Sequence, residues 1–421
     1  MSGGGAVGSR GAGRIRERMG GKIMRKVKVA MIGTGDISGI YVQNITHMFK
    51  EIDLVGLCDL IPEKAERRLK YIEAAIAEGA NVTKPVIYKD MYEAFNDPEV
   101  EVILNLTRPY EHYGVTKEAL LHGKHVYSEK PLAVDMEEAD ELVSLAEEKG
   151  LRLGGAPDTF MGAGIQTARA IIDKGILGDI VGGTCAMICH GHETWHPDPE
   201  FYYKRGGGPM LDMGPYYVTA LVQLLGEAKG VMGMTKKTFP QRLITSKPHH
   251  GEVVDVDVDT HLTGCIEFAN GAIVQMCTTF DVYGSQNRFE IYGTRGSMVV
   301  PDPNCFGGPV LVYIPEDQAA APAVDPALIK GSKRPDFYDP YKEFPIMYDY
   351  PENSRALGLA DMCKALVTDR QHRANYKQQQ HVLEILTSFS KSCEEKRYIE
   401  LKTKYERSAA MQHNPMRGIL D

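Results

Sequence analysis

The first residues of this chain with types and spacing fit for chemistry are glycines. Gly33 and Gly35 flank Thr34 directly after an apolar run, Val27 to Ile32, and a helical pattern follows to about Phe49. Strand, Gly-x-Gly turn and helix, in that order, make a phosphate cradle. Gly33 permits the tight turn, Gly35 lets backbone approach a pyrophosphate, and the helix N-terminus offers free N–H groups. The third small residue of such a motif is Ser38 rather than glycine. A second apolar strand, Leu54 to Cys58, ends on Asp59. A carboxylate there accepts from the adenosine ribose hydroxyls and repels a 2′-phosphate. Leu60, Ile61 and Pro62 follow rather than an arginine, so the sequence predicts NAD as cofactor, with NADP the lesser choice.

Two other clusters invite a chemical reading. His190, His192 and His196 crowd one loop with Glu193 and Trp195. No cysteine pair or His-Glu-x-x-His spacing supports zinc, so no metal is expected. The better reading is a substrate loop, where Trp195 stacks on a sugar ring while His196 and Asp198 bond its hydroxyls. Asp255, Asp257, Asp259 and His261 alternate with valines. Paired acids can bind a cation or act on a glycoside, but such a row more often is the solvated face of an antiparallel strand.

The elements that must position these groups fall into two halves. Strand-like runs at 26–32, 54–58, 100–106, 124–127 and 151–155 alternate with helical patterns, which means right-handed crossovers and a parallel sheet. After about Pro157 the pattern changes. Helices at 165–174 and 213–225 sit among long strand-like runs, including 253–261. A hairpin is predicted at Asn270-Gly271, whose type I′ turn needs positive φ at both residues. Residues 301–351 are rich in Pro, Asp, Gly and Tyr and read as an irregular insertion, and helices at 354–367 and 378–393 close the chain. The expected fold is α/β: a Rossmann domain over 25–157, then an α+β domain over 158–421 with a large, mainly antiparallel sheet. Residues 1–24 read as a disordered tail, with Met24 a natural point of initiation. An Arg-rich targeting presequence ranks second, because no amphipathic helix of useful length can be drawn there.

At 421 residues the chain can bury two cores. A net charge of -8 and a pI near 5.9 argue against nucleic acid and anionic membrane surfaces as partners. No apolar run reaches the length of a membrane span. Eight scattered cysteines, mostly inside apolar runs, suggest reduced thiols and a cytoplasmic location.

Three further segments narrow the reading: Asn105 to His112 at a strand's carboxyl end, Glu129-Lys130-Pro131 after a short strand, and Gly206-Gly207-Gly208-Pro209-Met210-Leu211-Asp212-Met213-Gly214-Pro215-Tyr216. With the glycine turn, they resemble the glucose-fructose oxidoreductase/inositol dehydrogenase/rhizopine-catabolism (Gfo/Idh/MocA) family. The resemblance covers about Val27 to Val300 and, more loosely, the closing helices. It implies a Rossmann domain followed by a domain whose open sheet binds substrate on one face and a neighbouring subunit on the other. Lys130 and Asp212 match the family's active-site lysine and aspartate. Where the family commonly has a histidine four residues after the aspartate, this chain has Tyr216. If the stretch is helical, Asp212 and Tyr216 share a face one turn apart. Two proton-transfer readings stand. Either Lys130, its pKa lowered toward neutrality by burial and the nicotinamide cation, is the base, or Tyr216 is, with Lys130 depressing its pKa.

The resemblance also implies a cofactor site of Gly33, Thr34, Gly35, Asp36, Ile37, Asp59, Thr107, Arg108, Pro109, His112, Glu129 and Lys130. Asp158, Trp195, His196 and Tyr217 are the expected substrate contacts. The implied activity is hydride transfer between nicotinamide and a hydroxyl-bearing carbon of a sugar, glycoside or cyclic polyol. Two alternatives are an NAD-dependent glycosidase that oxidises, eliminates and re-reduces, and a non-catalytic sugar or redox sensor. Apolar positions Ile266, Phe268, Ile273 and Val274 suggest a homodimer or homotetramer.

Overall fold

The computed structural model describes residues 25–284, 287–315, 341–413 and 420; the expected tail, 1–24, lies outside them. The first half alternates strand and helix: β1 Val27–Ile32, α1 Ser38–His47, β2 Ile52–Cys58, α2 Pro62–Ala77, β3 Val86–Ile87, α3 Met91–Asn96, β4 Val102–Asn105, α4 His112–Leu121, β5 His125–Ser128, α5 Met136–Glu148 and β6 Leu153–Gly155. The strands form a parallel sheet in the order β3-β2-β1-β4-β5-β6. β1 and β4 are buried on both faces, as central strands under crossover helices must be. Helix starts are written locally. Pro62 opens α2, the Asp90 carboxylate accepts from Tyr92 N and Glu93 N at α3, and Asp135 accepts from Glu138 N at α5. The order reverses at β1, so the carboxyl ends of β1 and β4 border a crevice.

The second half contains α6 Ala163–Asp173, β7 Ile180–Ile188, α7 Gly208–Asp212, α8 Gly214–Leu225, β8 Ala228–Lys236, β9 Gln241–Leu243, β10 Val253–Asp255, β11 His261–Phe268, β12 Ile273–Thr279, β13 Arg288–Gly293, β14 Ser297–Val299, β15 Val310–Tyr313, β16 Lys342–Phe344, α9 Leu357–Thr368, α10 Tyr376–Glu395 and β17 Ile399–Glu400. Nine strands pair in the order β16-β15-β14-β13-β7-β12-β11-β8-β17, antiparallel except for β7 with β12. One face packs on helices: Ile266, Phe268, Val274, Met276 and Ile291 are wholly buried there. The other face carries Met232, Met234, Cys265 and Ile273, all exposed, with Met232 opposite Cys265 by register.

Several expectations are corrected. Ile266, Phe268 and Val274 are spent on the chain's own core, and only Ile273 of that set faces outward. The alternating run 253–261 is not one strand. β10 pairs with β9 in a separate ribbon while β11 enters the large sheet. Asp255, Asp257 and Asp259 take Gln241, Lys204 and Ser390 as partners. At Asn270-Gly271 only Gly271 has positive φ, 88°, so the turn is not type I′. The insertion at 301–351 is not wholly irregular, because β15 and β16 extend the sheet. Finally, the helix breaks at Met213, so Asp212 ends α7 and Tyr216 lies in α8.

Asp361 in α9 ties down the chain's end. Its Oδ1 accepts from Arg373 Nη1 at 2.6 Å and Arg370 Nη2 at 2.7 Å, and its Oδ2 from Arg373 N at 2.7 Å. Arg373 also donates to the carbonyls of Ala409 and Ala410. Burial pushes the Asp361 carboxyl up, but Arg373 and Arg370 outweigh it and hold the pKa below its ordinary value. A carboxyl lowered on folding contributes stability above its unfolded pKa of about 3.9 and loses it as pH falls through the folded value. Asp361→Ala should cost about 3–5 kcal/mol, because it removes a buried carboxylate that accepts from two guanidinium groups and a backbone amide. Denaturant melts at neutral pH measure this, and a change within about 0.5 kcal/mol would mean that the pair carries no stability.

Candidate active site

The glycine turn joins β1 to α1. Gly33 has φ 90°, and a Cβ there would lie 2.7 Å from the Leu106 carbonyl carbon and oxygen. A Cβ on Gly35 would meet nothing within 4 Å, so the space above it is open. The amides of Gly35 and Asp36 donate to no acceptor among the described residues. Asp59 leans onto this turn: its Oδ2 accepts from Thr34 N at 2.6 Å and Thr34 Oγ1 at 3.0 Å, its Oδ1 from Ile61 N at 2.9 Å. Arg68 braces the turn from behind, donating to Gly35 O and Ser38 Oγ. Open space, free amides and a held carboxylate fit a dinucleotide phosphate and its ribose.

The carboxyl ends of β4 and β5 extend the crevice. Asn105 Oδ1 accepts from Thr107 Oγ1 at 2.6 Å, while its Nδ2 donates to His112 O and Thr116 Oγ1. His112 is buried, with its two ring nitrogens facing the carbonyls of Pro131 (2.8 Å) and Thr107 (3.0 Å). Burial lowers its pKa, so one ring N–H donates to one of these carbonyls, and the ring packs between the turns after β4 and β5. Glu129 accepts from the Tyr41 hydroxyl and the Lys130 amide, so α1 orients it. Arg108 reaches across the crevice to Asp198 at 2.5 Å, and also donates to the Tyr110 hydroxyl.

Lys130 and Asp212 meet at the centre. The Lys130 ammonium donates to Asp212 Oδ1 and Asp212 O, both at 2.8 Å. It also lies 5.2 Å from the Tyr216 ring centre. Burial would lower the lysine's pKa, but Asp212, Tyr216 and Glu129 together raise it above the ordinary range. This corrects the expectation of a lysine poised near neutrality. Burial works against the Asp212 carboxylate too, yet Lys130 and His192 hold its pKa well below the usual range. Tyr216 goes the other way. Burial raises its phenol, and the opposing cations Lys130 and Arg355 do not overcome that. The expectation of a depressed Tyr216 is also corrected.

The second oxygen of Asp212 finds a histidine from another element. His192 Nε2 lies 3.0 Å from Asp212 Oδ2, and Trp195 Nε1 donates to His192 Nδ1 at 3.2 Å. The loop after β7 that carries them is clamped from below. Arg242 donates to Glu193 Oε1 at 3.0 Å, to His190 O at 3.2 Å and to Phe280 O at 2.8 Å, and pairs with Asp281. The Tyr203 hydroxyl closes on the other Glu193 oxygen. The three histidines of this loop diverge. His192 bonds Asp212, His190 stacks on Tyr283 at 3.7 Å, and His196 Nδ1 accepts from Asp198 N.

Of the expected substrate contacts, Trp195 stands 61% exposed at the crevice and His196 packs edge-on against Phe201 and Tyr202. Asp198 is engaged by Arg108 rather than left open. Asp158 is buried, its pKa pushed up to about 6 by burial, and accepts from Gly358 N. It supports the floor rather than lining the crevice. Tyr217 turns away: it is 1% exposed and packs near Phe289 beneath the sheet. Sequence reasoning missed His192 as the partner of Asp212, since eye-catching neighbours suggested a shared task. It missed Arg355, which bonds the Tyr216 hydroxyl and Asn304, because nothing local marks it.

Comparisons with known proteins bear on the family and the fold. Residues 27–155 match the model of the oxidoreductase family with an NAD-binding Rossmann fold, and residues 165–299 match the GFO/IDH/MocA C-terminal domain. D-xylose dehydrogenase of Paenarthrobacter nicotinovorans is 26% identical over 314 residues, covering 72% of this chain and 77% of that protein. Levoglucosan dehydrogenase of Pseudarthrobacter phenanthrenivorans is 26% identical over 228 residues, 50% of this chain and 57% of that one. Among solved structures, a levoglucosan dehydrogenase complex with NADH and levoglucosan superposes with a TM-score of 0.71 at 19% identity, covering 90% of this chain and all (100%) of that one. An aldose-aldose oxidoreductase from Caulobacter crescentus gives 0.69 at 20% identity, covering 90% and 100%. With both halves of the chain matched in order, it belongs to the Gfo/Idh/MocA oxidoreductase family, with that family's NAD-binding Rossmann fold.

Proposed function

We propose that this chain is an NAD-dependent dehydrogenase acting on a secondary hydroxyl carbon of a sugar, glycoside or cyclic polyol. The observation that carries the reading is the Lys130–Asp212 pair, made by one residue from each half of the chain at the crevice beside the glycine turn. Relatives named for D-xylose and levoglucosan oxidation support the substrate class. Trp195 offers an exposed aromatic face for a sugar ring.

A bound nicotinamide supplies the carbon that takes hydride from the substrate. The glycine turn and α1 hold its phosphates, and Asp59 takes the adenosine ribose. Leu60, 92% exposed, and Ile61, 48% exposed, give adenine an apolar edge. Lys130 keeps its proton and donates to the substrate oxygen, stabilising alkoxide charge as the carbon–hydrogen bond weakens. Asp212 keeps that ammonium charged and aimed. Arg355 and Lys130 flank the Tyr216 hydroxyl, which is left to position the substrate rather than deprotonate it. The uncovered sheet face of Met232, Met234, Cys265 and Ile273 seats a second copy, giving a homodimer or homotetramer.

A thermal-shift panel of sugars, glycosides and polyols with NAD, followed by NADH formation, tests the activity. Absence of turnover across the panel would remove the reading. Lys130→Met should retain NADH binding and lose turnover by about 10²-fold or more, since charge stabilisation at the reacting oxygen is worth that much. Lys130→Arg should not restore it, because a planar guanidinium cannot take the ammonium's two contacts with Asp212 in the same space. Fluorescence titration should find NADH bound more tightly than NADPH, and Asp59→Ala should narrow that gap. Equal affinity in the parent protein would overturn the cofactor preference. Light scattering at micromolar concentration should read a dimer or larger, and a charge placed by Met232→Glu should shift it toward monomer.

A further inference from the structure

The crevice described above leaves one step without an agent. Oxidising a carbinol releases the hydroxyl proton, and some group must take it. Lys130 is already protonated and held so by Asp212, and the Tyr216 phenol is held in its protonated form by burial. Neither is a base in this arrangement. Asp212 is ionised but both of its oxygens are engaged, Oδ1 by Lys130 and Oδ2 by His192.

The hydrogen bonds of His192 define its tautomer. An indole N–H only donates, so His192 Nδ1, 3.2 Å from Trp195 Nε1, is an acceptor with its lone pair directed outward. The hydrogen of the neutral imidazole is then on Nε2, where the Asp212 carboxylate accepts it at 3.0 Å. This is the logic of a carboxylate that orients a histidine through one nitrogen and leaves the other free to accept. The ring is also locked. Tyr202 and Phe280 pack on it edge-to-face at centroid distances of 4.4 and 4.7 Å, and the Arg242–Glu193–Asp281 clamp fixes the loop beneath. Only Trp195, on the solvent side, is exposed.

We infer that His192 is the general base of this site, accepting the substrate hydroxyl proton at Nδ1, and that the Trp195 indole occupies that position until a substrate hydroxyl displaces it. The inference rests on the dehydrogenase reading above and deepens it. In the step, the O–H bond breaks and an Nδ1–H bond forms, while the C–H pair leaves as hydride for the oxidised nicotinamide that the glycine turn would hold, and the C–O bond becomes C=O. The resulting imidazolium is stabilised by Asp212. In reduction the same imidazolium returns the proton. Groups facing His192 are Asp212 from α7, with Lys130 beyond it, and His196 and Tyr202 from its own loop and the short turn that follows. The histidine of the family's usual position is thus replaced in space by one from the loop after β7.

The test has two parts, one of which needs no turnover. In protein labelled with nitrogen-15 at histidine, the His192 signals are found by their loss in His192→Gln. As the neutral imidazole, His192 should show Nε2 protonated and Nδ1 bare, and Asp212→Asn should disturb that tautomer. A protonated Nδ1 overturns the proposal whatever the substrate. With a sugar that the parent protein oxidises, His192→Gln should bind NADH within about twofold of the parent and lose kcat by about 10²-fold or more. Near-parental kcat in His192→Gln refutes the role while leaving the dehydrogenase reading standing. If the parent oxidises no sugar, that reading falls, and the tautomer still decides the dyad.

Discussion

The organisation of this site depends on one interaction, the ammonium of Lys130 against the carboxylate of Asp212 at 2.8 Å. Each charge alone would be costly in so dry a place. Together they shift in opposite directions, the lysine up and the aspartate down, and both stay ionised. One partner is carried by the turn after β5, the other by the last residue of α7. The pair therefore sets the register between a parallel sheet and a mixed sheet that share no strand. Arg108–Asp198 and Arg205 with Asp135 and Glu138 repeat that cross-connection nearer solvent, where screening makes each worth little.

Around that pair the fold spends buried polar groups on aim rather than on stability. His112 carries no evident chemistry, yet it sits between the carbonyls of Pro131 and Thr107, donating its one ring N–H to one of them, and so packs together two turns that border the crevice. Arg242 does the same for the loop of His192, with two carboxylates and two carbonyls on one guanidinium. Removing such a group leaves several acceptors unpaired, so its effect spreads to whatever it was holding. Arg355 is arranged differently. Its bonds to Asn304, Asn353 and Tyr216 are to neutral groups, and the carboxylates of Asp158 and Glu129 act on it without bonding it.

What the sequence made legible was whatever local rules write. The glycine turn, its strand and the acid at the end of β2 are a local pattern, and the motif segments carrying Lys130 and Asp212 identify themselves by residue order. Alternation alone failed at 253–261, because Asp257 and Asp259 answer to Lys204 and Ser390, not to a strand partner. Helical spacing failed between Asp212 and Tyr216 because Gly214 and Pro215 start a new helix. The pKa directions of Lys130 and Tyr216 were misjudged for a related reason. They depend on how much carboxylate and how much burial the tertiary fold gathers, and neither quantity is a property of a short segment. Arg355 and the pairing of His192 with Asp212 are tertiary facts with no sequence period.

The Tyr216 position makes the same point in chemical terms. A histidine one helical turn after the aspartate would approach Asp212 from α8. Here α8 begins with Gly214-Pro215, and its third residue turns its ring toward Lys130 and its hydroxyl toward Arg355. The constraint falls on the aspartate rather than on any numbered neighbour. An ionised carboxylate in a dry site needs donors on both oxygens. Lys130 supplies one, and the other has to come from whichever element lies on the far side of α7. In this chain that element is the loop after β7. Its length lets His192 reach Oδ2, and the Arg242 clamp keeps it there.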